Sequence, residues 1–218
     1  MEIQNKKFAD LEARVLKIKG DAAFTETATI FLHGAGASMD DLIPLCNYLP
    51  GLQTTDLYFL NAPFEMMPPH PMYIWFNVGE LVEKMNENGF SEEIMKTFVP
   101  TRIEEGRSHL KKAMQEITPN YKKVQIVGFS QGGMMAVDFG LEEPKLSKLA
   151  LLSTSLCDHQ TLKKKVGSLA TGVKIFQSHG HQDAVLPFAY GEYLSKFFAE
   201  HGIKSQFESF NGGHEIPM

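Results

Sequence analysis

The 218-residue chain is 43% hydrophobic and 22% charged, the proportions of a folded globular protein rather than a disordered one, and its length suits one domain over 1–218 whose core needs no disulfide or metal staple. A formal net charge of −5, with no basic run longer than Lys163-Lys164-Lys165, leaves no footprint for nucleic acid or an anionic membrane surface. Cys46 and Cys157 form neither a C-x-x-C pair nor a metal-ligand spacing, and no apolar run resembles a signal peptide or approaches the ~18 residues of a membrane span, so a cytoplasmic protein without metal or cofactor is expected.

In chain order, strands are expected at Arg14–Lys19 and Thr29–His33, a helix at Asp40–Leu49, and a strand at Asp56–Asn61. From Asn61 to Phe76 the chain is apolar but broken by prolines, which reads as a long loop bordering a site. A helix over Arg102–Ile117 follows, its Ile103, Leu110, Met114 and Ile117 recurring at helical spacing so that they should face a sheet. Next come a strand at Lys123–Phe129, a helix at Gly132–Leu141, strands at Lys148–Ser153 and Lys174–His179, a helix at Phe188–His201 and a strand at Lys204–Phe210. This alternation is the pattern of an α/β protein with a mostly parallel central sheet flanked by helices.

Gly128-Phe129-Ser130-Gln131-Gly132 stands between an apolar strand and a helix. A Gly-x-Ser-x-Gly pentapeptide alone is a weak signal, but in a strand-turn-helix setting it presents a serine nucleophile on a tight turn. A serine hydroxyl needs a base, an orienting acid and oxyanion donors. His33-Gly34-Ala35-Gly36, after the strand Thr29–His33, suits the donors: the backbone N–H of Ala35 and that of Gln131 are the candidates. The turn lacks the third glycine of a dinucleotide loop, and no phosphate-loop lysine follows. His214, in Asn211-Gly212-Gly213-His214 just past the last strand, is the best-placed base, ahead of His159, His179, His181 and His201. Asp183, just past the strand Lys174–His179, is the best-placed acid, with Asp138 and Asp158 as rivals.

Leu32-His33-Gly34-x-Gly36, Gly128-Phe129-Ser130-Gln131-Gly132-Gly133, His179-Gly180-x-x-Asp183-x-x-x-Pro187 and Gly213-His214 together resemble the phospholipase/carboxylesterase family, which includes acyl-protein thioesterases. The likeness runs through nearly the whole chain. It implies the α/β-hydrolase fold, a triad of Ser130, Asp183 and His214, and oxyanion donors at Ala35 and Gln131. Ala37 and Asn77 stand where the family commonly has acidic residues. The family also carries a covering helix beyond its catalytic histidine, whereas this sequence stops at Met218, so the domain is expected without that helix.

The expected activity is hydrolysis of an acyl ester or thioester through a Ser130 acyl-enzyme, of the carboxylesterase, lysophospholipase or acyl-thioesterase type. The substrate would be a small-molecule or lipid ester, or an acylated protein. Phe64, Met66, Met67, Met72, Tyr73, Trp75 and Phe76 are the candidate wall of the acyl site, and the same apolar loop is a candidate homodimer surface. The competing readings are a catalytically silent hydrolase-like protein that binds a lipid or partner in the same cleft, and an acyltransferase.

Overall fold

The computed structural model describes residues 2–17, 25–48, 54–66, 70, 72–89 and 91–217. Strands β1 (Glu2–Phe8) and β2 (Leu11–Lys17) form an antiparallel hairpin, and β3 (Thr27–Leu32) and β4 (Asp56–Leu60) follow. The short strands β5 (Phe64–Glu65) and β6 (Tyr73–Ile74) make a separate ribbon inside the proline-rich loop. After the helices α1 (Gly79–Asn88), α2 (Glu92–Thr97) and α3 (Ile103–Ile117) come β7 (Lys123–Phe129), α4 (Gln131–Gly140), β8 (Leu146–Leu152), α5 (His159–Lys165), β9 (Lys174–Gly180), α6 (Phe188–Glu200) and β10 (Ser205–Phe210).

Eight strands form one sheet in the order β1-β2-β4-β3-β7-β8-β9-β10. The β1, β2 and β4 neighbours pair antiparallel; every pairing from β4 to β10 is parallel. Strands β3 and β7 lie side by side near the middle, and both are buried over most of their length, as strands covered on both faces should be.

One face of the sheet packs against α3, α4, α5 and α6. Ile30, Tyr58, Ile126, Leu149 and Ile175 meet Leu110, Met114 and Ile117 of α3, Met134 and Val137 of α4, Leu162 of α5, and Leu194 and Phe198 of α6 in the main core. The stripe expected on α3 is therefore the stripe that is buried. On the other face Phe31, Phe59, Leu57 and Val127 pack under Met39, Leu42 and Leu45, with the Phe31 and Phe59 rings stacked at 4.4 Å.

The expected helix Asp40–Leu49 is instead a short 3₁₀ helix, Ile43–Asn47. A helix begun at Asp40 would place Pro44 in its interior, where the ring meets the carbonyl one turn back, so the coil can begin only next to the proline. Leu49 itself lies outside the described residues, as do Ile18 and Lys19 at the end of the first expected strand. No helix among the described residues is long and apolar enough to cross a membrane.

Parallel strands bring their carboxyl ends to one edge of the sheet, where an open α/β sheet presents its crevice. The turns after β3, β7, β9 and β10 carry His33, Ser130, Asp183 and His214 to that edge.

Candidate active site

Ser130 follows β7 directly and precedes α4, with φ 52° and ψ −121°. Such a backbone is costly for a residue with a Cβ, and its surroundings hold it there. The Ser130 N–H donates to the carbonyl of Leu152, and the Ser130 carbonyl accepts from Thr154 Oγ1 at 2.6 Å. A side chain at Gly128 would meet Gly132 O and Gly133 Cα at 2.5 Å, and one at Gly132 would collide with the carbonyls of Leu32 and His33. Both glycines of the motif are therefore demanded by close backbone approach.

His214 Nε2 lies 2.9 Å from Ser130 Oγ, and His214 Nδ1 lies 2.7 Å from Asp183 Oδ2. Asp183 is 5% exposed; its Oδ1 accepts the N–H groups of Val185 and Leu186 at 2.9 and 2.7 Å. With one oxygen held by backbone donors, the other is aimed at the imidazole, which fixes the proton on Nδ1 and leaves Nε2 free to accept from the serine. The three expected triad residues are thus brought into one hydrogen-bonded chain from the ends of three strands.

The His214 loop is tied down independently. Gly212 O accepts from the Gln182 N–H, and Ser153 Oγ donates to Glu215 O at 2.9 Å. A side chain at Gly180 would collide with the Gly212 and Gly213 carbonyls, so the loop lies directly on the end of β9.

The rival residues have other places. His179 lies beneath the acid, fully buried, with Nε2 2.7 Å from the Leu186 carbonyl and 3.3 Å from Asp183 Oδ2; burial pushes its pKa below the ordinary histidine value. It supports the turn that carries Asp183. His159 pairs with Tyr193 Oη, and His201 with the Phe197 carbonyl. Asp138 and Asp158 lie behind the nucleophile helix, where Arg107 Nε meets Asp138 Oδ2 at 2.7 Å and Arg107 Nη1 meets Asp158 Oδ2 at 2.8 Å.

Both candidate oxyanion donors flank the serine. A Cβ built on Gly34 would sit 3.2 Å from Ser130 Cβ, so the His33–Ala35 turn rests against the nucleophile. Among the described residues, the N–H groups of Ala35 and Gln131 have no acceptor. Free backbone donors in the turns next to a serine hydroxyl suit a developing negative charge.

The loop residues divide. Trp75 and Phe76 have no exposed surface and belong to the main core, with Trp75 Nε1 donating to the His33 carbonyl at 2.9 Å. Phe64 is buried under the Arg102 guanidinium, 3.5 Å from its ring centre. Met66 is partly exposed, and Met72 Cε would lie 3.4 Å from a Cβ on Gly36, at the rim of the His33–Gly36 turn. Tyr73 bonds through its backbone to Gly36 and Ala37. Met67 lies outside the described residues.

A cavity of about 300 Å³ is bordered by His33 and Gly34 of the turn after β3 and by Phe129, the residue before Ser130, and its apolar wall is completed by Leu42, Pro44, Leu45 and Ile216. None of the loop residues from Phe64 to Phe76 lines it. Trp75 and Phe76 accordingly serve as core, not as walls of this cavity. Ile216 was not foreseeable, since nothing in its sequence neighbourhood marks it apart from standing two residues after the base. Among the described residues, no group of three or more His, Cys, Asp or Glu side chains is placed to hold a metal ion.

The chain has recognisable relatives among known proteins. A family model described as Phospholipase/Carboxylesterase matches residues 15–218. The chain is 28% identical over 212 residues to acyl-protein thioesterase 1 of Eremothecium gossypii, covering 92% of this chain and 86% of that one. It is 27% identical over 197 residues to carboxylesterase SOBER1 of Arabidopsis thaliana, covering 87% and 84% respectively. Its fold superposes on the crystal structure of Zea mays acyl-protein thioesterase 2 with a TM-score of 0.69 at 21% identity, covering 94% of this chain and 92% of that one.

Proposed function

This chain belongs to the phospholipase/carboxylesterase family and is a serine hydrolase of ester or thioester bonds; on that premise we propose that Ser130, His214 and Asp183 perform the reaction, with Ala35 and Gln131 as oxyanion donors. The observation that carries the reading is the unbroken chain Asp183 Oδ2 to His214 Nδ1 and His214 Nε2 to Ser130 Oγ, at 2.7 and 2.9 Å.

His214 Nε2 takes the Ser130 proton as Oγ bonds to the acyl carbon. The carbonyl electron pair moves onto oxygen, where the two N–H groups receive it. Collapse of this intermediate expels the alcohol or thiol, protonated by His214, and leaves Ser130 acylated. Water, deprotonated by the same imidazole, then releases the carboxylic acid and restores the serine. Asp183 holds the ring and balances the imidazolium in both halves.

The acyl chain enters the cavity walled by Leu42, Leu45, Phe129 and Ile216, which has apolar surface for a chain and, among the described residues, Asp41 as its one charged lining group. Asp41 Oδ2 is already engaged by the N–H and Oγ of Ser38. The substrate class is an uncharged acyl ester of a small molecule or lipid, or an S-acylated protein; relatives named as a thioesterase and as a carboxylesterase support both leaving groups. A cytoplasmic setting belongs to the same reading, supported by the two free thiols Cys46 and Cys157.

Labelling with a fluorophosphonate, joined to a chain-length series of p-nitrophenyl esters, tests this. Wild type is expected to label and Ser130→Ala not to; equal labelling sinks the assignment. Each methylene that enters the cavity should raise kcat/KM about threefold to fourfold, from ~0.8 kcal/mol per buried CH₂, until the cavity is full. Leu42→Phe should shorten the optimum chain. A flat series in wild type would place the acyl chain elsewhere.

A further inference from the structure

Gly34 is the point at which the oxyanion turn could swing, because it carries no side chain to limit its backbone and it sits against the nucleophile. The peptide planes on either side of it are each held by a ring nitrogen. On the near side, Trp75 Nε1 donates to the carbonyl of His33 at 2.9 Å. On the far side, the carbonyl of Gly34 lies 2.7 Å from His33 Nδ1.

The direction of the second bond follows from the neighbours. His33 Nε2 faces the N–H of Ala62 at 3.0 Å, which can only donate. Nε2 must therefore accept, and the ring proton stays on Nδ1, which donates to Gly34 O. Since the peptide is planar and trans, pinning the Gly34 carbonyl aims the Ala35 N–H in the opposite direction.

The other oxyanion residue is tied into the same system. Gln131 Oε1 accepts from the Trp75 N–H at 2.8 Å, and Gln131 Nε2 donates to the Phe76 carbonyl at 2.7 Å. Gln131, His33 and Trp75 are 2%, 1% and 0% exposed, so water does not compete for these bonds. Trp75 thus touches both halves of the hole, through its indole and through its backbone.

We infer that His33, Trp75 and the Gln131 side chain are positioning residues that set the two backbone donors of Ala35 and Gln131 at a fixed separation for the transition-state oxyanion. The inference rests on the proposed triad and its donors. It gives the fully buried Trp75 a role in rate rather than in substrate binding: the bonds should leave KM almost unchanged and act on kcat, because only the transition state carries the charge that needs both donors.

The test uses the full chain, with kcat expressed per site titrated by fluorophosphonate so that misfolded protein is not counted. Trp75→Phe keeps an aromatic ring and removes the Nε1–H; His33→Gln keeps an acceptor near Ala62 and loses the donor to Gly34. Each is expected to lower kcat about 10- to 100-fold with KM within about twofold, and to weaken a trifluoromethyl ketone transition-state analogue by the same factor. His33→Asn places an amide N–H near the position of Nδ1 and should recover most of the loss seen in His33→Gln. Unchanged kcat and analogue affinity in Trp75→Phe and His33→Gln would overturn the inference, as would no recovery by His33→Asn. Wild type that fails to label at Ser130 would instead remove the triad on which it stands.

Discussion

Ser130 stands at φ 52° and ψ −121°, the mirror image of an ordinary extended conformation. Glycine adopts that region freely, whereas any Cβ costs about 1–3 kcal/mol there. Glycine's greater freedom in the unfolded chain offsets about 0.5–1 kcal/mol of the relief. Ser130→Gly should accordingly be more stable than Ser130→Ala by about 1 kcal/mol, although both lack the nucleophile. Urea midpoints compare the two; an alanine variant as stable as the glycine one would show that the elbow stores no strain. His33 makes a second prediction. Burial chiefly, partly opposed by its bond to the Gly34 carbonyl, pushes its pKa down to about 4, against about 6.5 in the unfolded chain. Below pH 6.5 the unfolded state binds a proton that the folded state refuses, so stability falls with falling pH through the window from about 6.5 to 4. The drop from pH 7 to pH 5 attributable to this group is about 2 kcal/mol. Unfolding curves of wild type and His33→Asn at both pH values isolate it, because the other histidines are common to both; parallel pH dependences would rule it out.

At the scale of elements, what could be read from the sequence was what is buried with a period. The runs of β3 and β7 and the stripe of α3 lie in the core because each presents a continuous apolar face. The strand β1 gives no such signal: at the sheet's edge, its polar residues Gln4 to Lys7 are exposed or half-buried, so no alternation is imposed. Helices α1 and α2 are similarly quiet: among their described side chains Leu81 and Met95 are the buried ones. The hydrogen-bonded set Ser130, His214 and Asp183 was legible because each member stands just beyond a strand in the chain order that this fold uses. Ala35 and Gln131, the proposed donors, could be named only as members of those turns. The hydrogen bonds of Trp75 and of the buried carboxylates were not legible, since they depend on partners distant in sequence. Asp138 and Asp158 meet Arg107 across 31 and 51 residues. Burial disfavours the Arg107 charge, but the two carboxylates outweigh it and raise its pKa. This cluster joins α3, α4 and the cap of α5, where Asp158 Oδ1 accepts from the Thr161 N–H, and so steadies the helix that begins at the nucleophile.

Taken as a whole, the molecule distributes its proposed catalytic groups unequally over the sheet. Ser130 leaves β7, which has a parallel partner on each side and lies in the main core. His214 leaves β10, at the edge of the sheet, which among the described residues pairs with β9 alone and has only exposed or half-buried side chains. Edge strands with few buried contacts open at lower free energy than the core around them. Esterase activity should therefore disappear at lower urea than the fluorescence of Trp75, the chain's single tryptophan, which reports the buried core. Coincident transitions would show that β10 unfolds only with the rest. If the two separate, an assay for activity and an assay for folding measure different lifetimes, and a preparation can be intact by every bulk criterion while its serine waits for a base that has come away. The durability of catalysis is then set at the rim, and strengthening the row of bonds between β9 and β10 would lengthen it more than any repacking of the interior.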